Sequence, residues 1–473
     1  MRLTPRYSFL LKNTMLFALA NLSNKLIVFF LLPFYTAYLS TEEYAVIDLI
    51  STAQQLIFPV VTLDITEAVI RFCMEKETDK KSIFTVALWI VTGGNALLTV
   101  GCAAAIAASL GSAKHVIYFL LFSILVSVNT LLSSFYRTID KVNVITISSI
   151  LSTLIVTVMN IILIAVMRLG VDGYYLSYVC GNLIAIAFML LVVDIRKYVI
   201  RLPAGAFWEQ LLPMLKYALP LIPNALFWWV NSGLDRFFLT AISGLPVVGM
   251  YAAANKIPAI LSTLSLIFQQ SWGMSLFRES ETVSKQVFFQ QVHKAYNLFL
   301  LVVTAGLILF SELIGSVMLS KEFYDGWRWV PWLLLGFYTN SLCSFLGTEF
   351  TAAKKTVWIL LTTAISALIN ICMNLLLIPN YGGLGAAVAT YASYLVMLEI
   401  RIWLLRYRFG IGIRNMRVLA DHAGLIALAL CITQRTGFTM IVSAVACLVW
   451  IFSGQRSEIT FLMKKIIGFI KGK

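Results

Sequence analysis

The chain has 473 residues, of which 60% are hydrophobic and only 12% charged. Soluble domains carry about 25% charged residues, so 22 acids and 36 bases cannot coat the globular domains that this length would otherwise suggest. The net charge of +14 invites nucleic acid as a partner, and the topology below removes that reading.

Apolar runs of about 20 residues, the length that crosses a bilayer, recur along the whole chain. They predict an all-α integral membrane protein of about 14 transmembrane helices. In chain order these fall near 13–39, 43–70, 82–110, 115–136, 142–167, 173–193, 211–241, 245–275, 291–319, 326–350, 356–379, 384–405, 418–433 and 437–453. The first run is too long for a signal peptide and lacks a small-residue cleavage site, so it is expected to stay as a span. From Arg456 to Lys473, Phe461, Ile466, Phe469 and Ile470 alternate with Lys464, Lys465 and Lys471. That spacing predicts a basic amphipathic helix on the inner leaflet.

With the N-terminus inside, 28 of the 36 bases fall in inner segments. Five fall in outer loops (Lys114, Arg168, Lys321, Arg328, Arg435), and three lie inside spans (Lys25, Arg236, Lys256). This bias predicts both termini in the cytoplasm and accounts for the basic charge without nucleic acid. Every outer loop is short. The longest inner loops are 194–210, 276–290 and 406–417, and the first, with Arg196, Lys197, Arg201, Pro203 and Gly205, reads as a linker between two halves.

The halves resemble each other. Val158-Met159-Asn160-Ile161-Ile162-Leu163-Ile164 matches Cys372-Met373-Asn374-Leu375-Leu376-Leu377-Ile378 at an offset of 214. Gly170-x-x-Gly173 matches Gly382-x-x-Gly385 at an offset of 212, and Lys25 and Arg236 stand 211 apart. Six spans per half is an even number, so the repeats share one orientation, a transporter arrangement with substrate bound between halves. The expected organisation is a six-helix lobe over 1–200, a second over 201–416, two further helices over 417–455 and the tail 456–473.

Charges deep in a span cost several kcal/mol and normally face a cavity or a partner. Lys25 lies about 18–20 Å from either end of its span, beyond comfortable snorkelling. Lys25, Arg236 and Lys256 therefore form a candidate cationic cavity for an anionic head group. Asp48 and Asp235 are open either to pairing with these bases or to ion coupling. Pro33, Pro59, Pro220, Pro223 and Pro258 fall well inside spans one, two, seven and eight, corresponding positions of the two halves. Helix interruptions at equivalent repeat positions mark candidate moving elements. Asn224, Asn231, Ser232 and Asp235 make a polar stripe on span seven. Trp228-Trp229 reads as packing or a groove lining, and Trp327-x-Trp329-x-x-Trp332 as an interfacial belt.

Three tracts carry a family resemblance. The first is Phe29-Phe30-Leu31-Leu32-Pro33 followed by Leu39-Ser40-Thr41-Glu42-Glu43-Tyr44. The second is Leu234-Asp235-Arg236-Phe237-Phe238-Leu239 with Val248-Gly249-Met250-Tyr251-Ala252-Ala253-Ala254-Asn255-Lys256-Ile257. The third runs Asn374-Leu375-Leu376-Leu377-Ile378-Pro379-Asn380-Tyr381-Gly382-Gly383-Leu384-Gly385-Ala386-Ala387. In these the chain resembles the polysaccharide, or O-antigen-type, flippases of the multidrug/oligosaccharidyl-lipid/polysaccharide exporter superfamily. The resemblance implies a twelve-helix, two-lobe core around a central cavity, with extra C-terminal helices. It further implies movement of an undecaprenyl-diphosphate-linked oligosaccharide from the cytoplasmic to the outer leaflet by alternating access, in a bacterial cytoplasmic membrane. Cavity cations would meet the diphosphate, which fits Lys25, Arg236 and Lys256. One departure is Ala45, where the family commonly has Gly after the tyrosine; we read it as a packing change.

A lipid II flippase or a cation-coupled drug/solute antiporter of the same superfamily is the alternative. The antiporter would favour an acid in the first span, where this chain has Lys25. A membrane enzyme would need larger outer loops, so no catalytic residues are expected. Seven cysteines and three histidines show no metal-binding spacing; His115, His293 and His422 are expected at span ends in interfacial roles. No cofactor is expected, with coupling to Na+ or H+ left open. Expected partners are the polyprenyl-diphosphate-linked glycan, membrane lipids and other polysaccharide-assembly proteins.

Overall fold

The computed structural model describes residues 31–75, 78–277, 282–353, 355–413 and 415–434, with 444, 445 and 449. Lys25, most of the span 437–453 and the basic tail 456–473 lie outside the described residues. Among the described residues the regular structure is all helical. Eight helices among the described residues are long and apolar enough to cross a membrane, or nine if one bent pair counts as a span.

Residues Tyr38–Trp229 form one compact unit. Its first helix, α1 (Thr41–Val61), starts at a reciprocal cap: Ser40 Oγ accepts from the Glu43 amide at 3.1 Å, and the Ser40 amide donates to Glu43 Oε2 at 2.9 Å. That arrangement satisfies two amides a helix start would otherwise leave bare. Ala45 is fully buried, so its methyl is a packing contact. Pro59 removes a backbone donor near the end of α1, and Leu63 and Asp64 then turn the chain with positive φ before α2 (Ile65–Cys73). The single span expected over 43–70 is thus a pair of helices.

Helices α3 (Lys80–Ala107), α4 (Ala113–Thr138), α5 (Val142–Asn160), α6 (Gly170–Val192) and α7 (Ala204–Ala218) complete this unit, together with the start of α8 (Leu221–Ser243). The end of α1 approaches α3 at Gly94, where a Cβ would collide with the Val61 carbonyl. The core comes from α2, α3, α4, α6 and α7 through Ile65, Phe84, Phe135, Tyr136, Met189 and Met214. The rings of Phe84 and Phe135 lie 4.3 Å apart, and the Tyr136 hydroxyl donates to the Met189 carbonyl at 3.0 Å. Helix α5 leaves Ile147, Ile150, Leu154 and Val158 exposed at helical spacing, an apolar face suited to lipid.

The second unit contains the described residues 31–37 and those from Val230 onward. Its helices, after the rest of α8, are α9 (Leu245–Lys256), α10 (Ala259–Phe277), α11 (Thr282–Leu309), α12 (Ser311–Met318), α13 (Val330–Ala352), α14 (Val357–Phe409) and α15 (Asn415–Thr433). Helix α13 is its centre: Leu334, Leu335, Tyr338, Leu342, Phe345, Leu346 and Phe350 are buried on all sides. Residues 31–37 dock on the turn after α12. There Thr36 Oγ1 donates to the Met318 carbonyl (3.0 Å) and accepts from the Ser320 amide (3.2 Å), while Lys321 Nζ donates to the Ala37 carbonyl (2.8 Å). These units divide within α8, whereas the lobes expected at 1–200 and 201–416 rest on the sequence repeat.

The repeat has a structural counterpart within each unit. Gly170 and Gly382 both have positive φ, +55° and +51°, which a side chain would strain. A Cβ on Gly173 would press on Leu163, and one on Gly385 on Leu377; Leu163 and Leu377 are the paired positions of the matched tracts. Gly382 is where the long α14 breaks into two arms.

Candidate functional site

Of the α8 stripe, Asn231 and Asp235 are buried, Asn224 is half-buried and Ser232 is exposed, so only part of it is a seam against other helices. Asn231 Nδ2 donates to the Thr363 carbonyl of α14 (3.3 Å), and its Oδ1 accepts from the Ser366 hydroxyl (2.8 Å). The Tyr394 hydroxyl, also on α14, donates to the Asn231 carbonyl at 3.4 Å. Four residues on, Asp235 is only 2% exposed. It pairs with its neighbour: Asp235 Oδ1 lies 2.9 Å from Arg236 Nη1 and also accepts the Arg236 amide at 2.9 Å. Its Oδ2 accepts the Tyr251 hydroxyl of α9 at 2.5 Å. Arg236, 8% exposed, donates back to the Ser232 carbonyl (2.6 Å) and holds its guanidinium 5.7 Å from the Tyr251 ring centre.

Adjacent helical residues normally point about 100° apart. What lets Asp235 and Arg236 pair is the folding-back of the arginine toward its own helix and Tyr251. Two opposite charges and three hydrogen bonds make a seam of zero net charge, which tolerates a low dielectric far better than a lone cation.

Lys256 lies further along α9. It ends α9 with an exposed side chain, about 7.5 Å along the helix from Tyr251, where its charge suits the carboxyl-terminal pole of the helix dipole. Asp48 is buried on α1, on the turn whose Ile47 carbonyl accepts the Tyr175 hydroxyl of α6 at 3.2 Å. Pro33 lies in the helical stretch 31–38, its carbonyl 3.2 Å from Thr36 Oγ1. Pro59 lies inside α1, Pro220 in the turn between α7 and α8, and Pro223 in the first turn of α8. Pro258 lies in the break where α9 and α10 bend by 42°.

Trp229 Nε1 donates to the Thr52 carbonyl at 2.8 Å, a packing contact within the first unit. The tract expected as an interfacial belt is partly core: Trp327 is fully buried against Gly315, and the ring of Trp329 lies on Gly383. Bare glycine is what admits each indole.

Some notable residues escaped the sequence reading. Arg401, counted there with the inner-side bases, is 1% exposed within α14. It donates to Thr362 Oγ1 (3.0 Å), the Cys343 carbonyl (2.6 Å) and Thr363 Oγ1 (3.2 Å). His293 and His422, expected at interfaces, are buried, as is Asp421. The signal available for the last two was their adjacency in an apolar span, a spacing with no motif attached. Among the described residues no group of three metal-ligating side chains converges.

Known proteins place this architecture. The fold is similar to that of the lipid II flippase MurJ in an inward closed conformation, with a TM-score of 0.68 and 14% identity over 94% of this chain and 100% of that one. It is also similar to an inward-facing multidrug resistance MATE family transporter of the MOP superfamily, with a TM-score of 0.65 and 13% identity over 88% and 98% of the two chains. Such identities show the fold alone: a multi-pass membrane protein of transporter architecture. In sequence, 176 residues are 27% identical to the probable low-salt glycan biosynthesis flippase Agl15 of Haloferax volcanii, 36% of this chain and 35% of that protein. The match thus spans about a third of the curated relative's length. Residues 10–272, more than half of the chain, match the family described as polysaccharide biosynthesis protein, and the chain belongs to that family.

Proposed function

We propose that this protein is a lipid-linked glycan flippase. The observation that carries the reading is the family match over residues 10–272, supported by the glycan flippase relative and the transporter fold. The finer reading has the substrate as an undecaprenyl-diphosphate-linked oligosaccharide, moved from the cytoplasmic to the outer leaflet by alternating access in a bacterial cytoplasmic membrane with both termini inside.

In this reading Lys25, Arg236 and Lys256 meet the diphosphate, where charge-assisted hydrogen bonds are strongest. The Asp235–Arg236 pair gives that idea a mechanism. A cation, H+ or Na+, taken up at Asp235 weakens its hold on Arg236 and frees the guanidinium for phosphate; loss of the cation restores the pair. Asp48 is the second candidate for coupling. Bending at Pro33, Pro59, Pro220, Pro223 and Pro258 accommodates the change of access, while the polyprenyl tail stays in lipid.

The test is a host lacking the protein, complemented with wild type or with Lys25→Ala plus Arg236→Ala at equal expression, with the polyprenyl-diphosphate-linked oligosaccharide quantified in each leaflet. Inner-leaflet accumulation rescued by wild type and not by the double variant is the expected result. Rescue by the variant would reduce these residues to structural ion pairs. Accumulation of lipid II in place of an oligosaccharide would move the assignment to a lipid II flippase. No accumulation of any lipid-linked sugar would sink the flippase and favour a small-solute antiporter.

A further inference from the structure

Helix α15 carries a second buried polar cluster, separate from the α8 seam. Asp421 and His422 are each 2% exposed. Asp421 Oδ2 accepts from Asn297 Nδ2 of α11 at 2.8 Å, and Asn297 Oδ1 accepts the Tyr338 hydroxyl of α13 at 2.6 Å. Asp421 Oδ1 lies 3.2 Å from Arg417 Nε, one turn earlier on α15, an ion pair without hydrogen-bond alignment. His422 faces α13 and α14. Its ring lies 5.1 Å from that of Tyr338 and 6.1 Å from that of Tyr391.

The hydrogens around the His422 ring can be counted. Nδ1 lies 2.8 Å from the Val418 carbonyl, which only accepts, so Nδ1 carries a hydrogen. Nε2 lies 3.1 Å from Thr339 Oγ1. The Thr339 hydroxyl has one hydrogen, and the Leu335 carbonyl at 2.7 Å is one of its two acceptors. With that hydrogen committed to Leu335, Oγ1 can only accept, so Nε2 must carry a hydrogen as well. With the Thr339 hydroxyl turned to Leu335, the ring is an imidazolium. A neutral ring is equally well bonded after one rotation, in which the Thr339 hydroxyl turns from Leu335 to Nε2.

The surrounding charges allow both states. On α15 these are Arg417 and Asp421. From α13 comes the Tyr338 phenol, and from α14 that of Tyr391. From α11 comes the neutral Asn297 amide, with His293 one turn away against Phe345 and Lys294 on the exposed side. The Arg417 side chain is 33% exposed, so it can turn to water when His422 is charged and leave Asp421 to balance the imidazolium. Loss of the proton draws Arg417 back to Asp421. Either way the cluster avoids a net buried charge.

We propose that His422 is a proton-binding site of this protein, with Thr339 as the hydroxyl rotor that serves both of its states and Asp421 as the balancing carboxylate. The step is simple: a hydronium ion gives its proton to Nε2, the N–H bond forming as an O–H bond of the hydronium breaks and leaves neutral water, and the Thr339 hydroxyl swings back to Leu335. Since His422, Thr339 and Asn297 join α15, α13 and α11, the proton also decides how α15 is pinned to the rest of its unit.

The chain has only three histidines, which makes the ring directly observable. Full-length protein with 15N-labelled histidine in nanodiscs would be followed from about pH 8 to about pH 5, the range in which imidazoles ordinarily titrate. A His115→Gln plus His293→Gln variant leaves His422 as the only signal without altering its site, and His422→Gln confirms the assignment in an otherwise intact ring set. The expected result is one nitrogen with a directly bonded hydrogen at the upper end and two at the lower end. Thr339→Val removes the partner of Nε2 in both states, and because the bond from the charged ring is the stronger of the two it should weaken proton binding by about fivefold. A ring nitrogen that stays bare across the whole range would overturn the site, and so would a Thr339→Val protein that titrates like wild type. The readout is on the ring itself, so it stands or falls independently of whether the lipid-linked glycan is moved.

Discussion

Arg401 offers the sharpest test of how this protein tolerates charge in its interior. Its guanidinium is enclosed, and its partners are two threonine hydroxyls and one carbonyl, with no carboxylate in reach among the described residues. Gly347 leaves the room it needs, since a Cβ there would sit 3.1 Å from Nη1. A hydrogen bond from a charged donor contributes about 1.5–3 kcal/mol. Burying the charge costs several kcal/mol, so the three bonds together do little more than offset it. Arg401→Lys keeps the cost and loses the fork: one ammonium cannot reach Thr362, Thr363 and Cys343 at once. Losing two of three bonds should destabilise this unit by about 3 kcal/mol or more. Arg401→Met removes the bonds and the cost together and should stay within about 2 kcal/mol of wild type. Both can be read from reversible unfolding in mixed detergent, followed by helical circular dichroism. A lysine variant as stable as wild type, or a methionine variant worse than the lysine one, would refute the reasoning.

The repeated glycines give a paired prediction. Alanine at Gly382, whose φ of +51° and ψ of −127° lie outside the left-handed helical well, should cost about 1–3 kcal/mol; Gly170→Ala should cost about 1–2 kcal/mol for its positive φ and about 1 kcal/mol more because its Cβ would displace the Glu43 carboxylate that caps α1. Unfolding of each variant against wild type decides it. At the start of α3, the Ser82 hydroxyl (2.5 Å) and the Lys81 amide hold the Asp79 carboxyl below its ordinary range. A carboxyl lowered on folding stabilises above its unfolded pKa, about 3.9, and the contribution is lost as pH falls through the lowered value; unfolding of Asp79→Ala should lack that acid dependence, and an unchanged profile would count against the cap.

How much of this was readable beforehand differs from residue to residue. Ser40 and Glu43 stood in a family-like tract and their capping role was not read from it, whereas the glycines at 170, 173, 382 and 385 were visible as a repeated spacing, because positive φ and close helix approach are local demands with few chemical solutions. Pro258 likewise sits at the 42° bend between α9 and α10. The polar stripe on α8 was visible as spacing, yet its surroundings were not. Whether a stripe faces water or another helix depends on what packs against it, and here α14 and Tyr251 do. His422 and Arg401 were read as interfacial or inner-side groups for the same reason. Distance from a span end is a property of the sequence, whereas enclosure is a property of the neighbours.

Composition and charge by themselves determined that this chain lives in a bilayer. Every helix must satisfy its own backbone in lipid, and no polar surface is available to do otherwise. The internal repeat was equally a matter of sequence, because both copies must solve the same turn with glycine. Only the tertiary structure decided which buried charges pair. Asp235 found Arg236 through Tyr251, Arg401 found neutral oxygens, and His422 found Thr339. Each of those partnerships joins residues from different helices or folds a side chain back on its own, and the low dielectric makes such partners decisive.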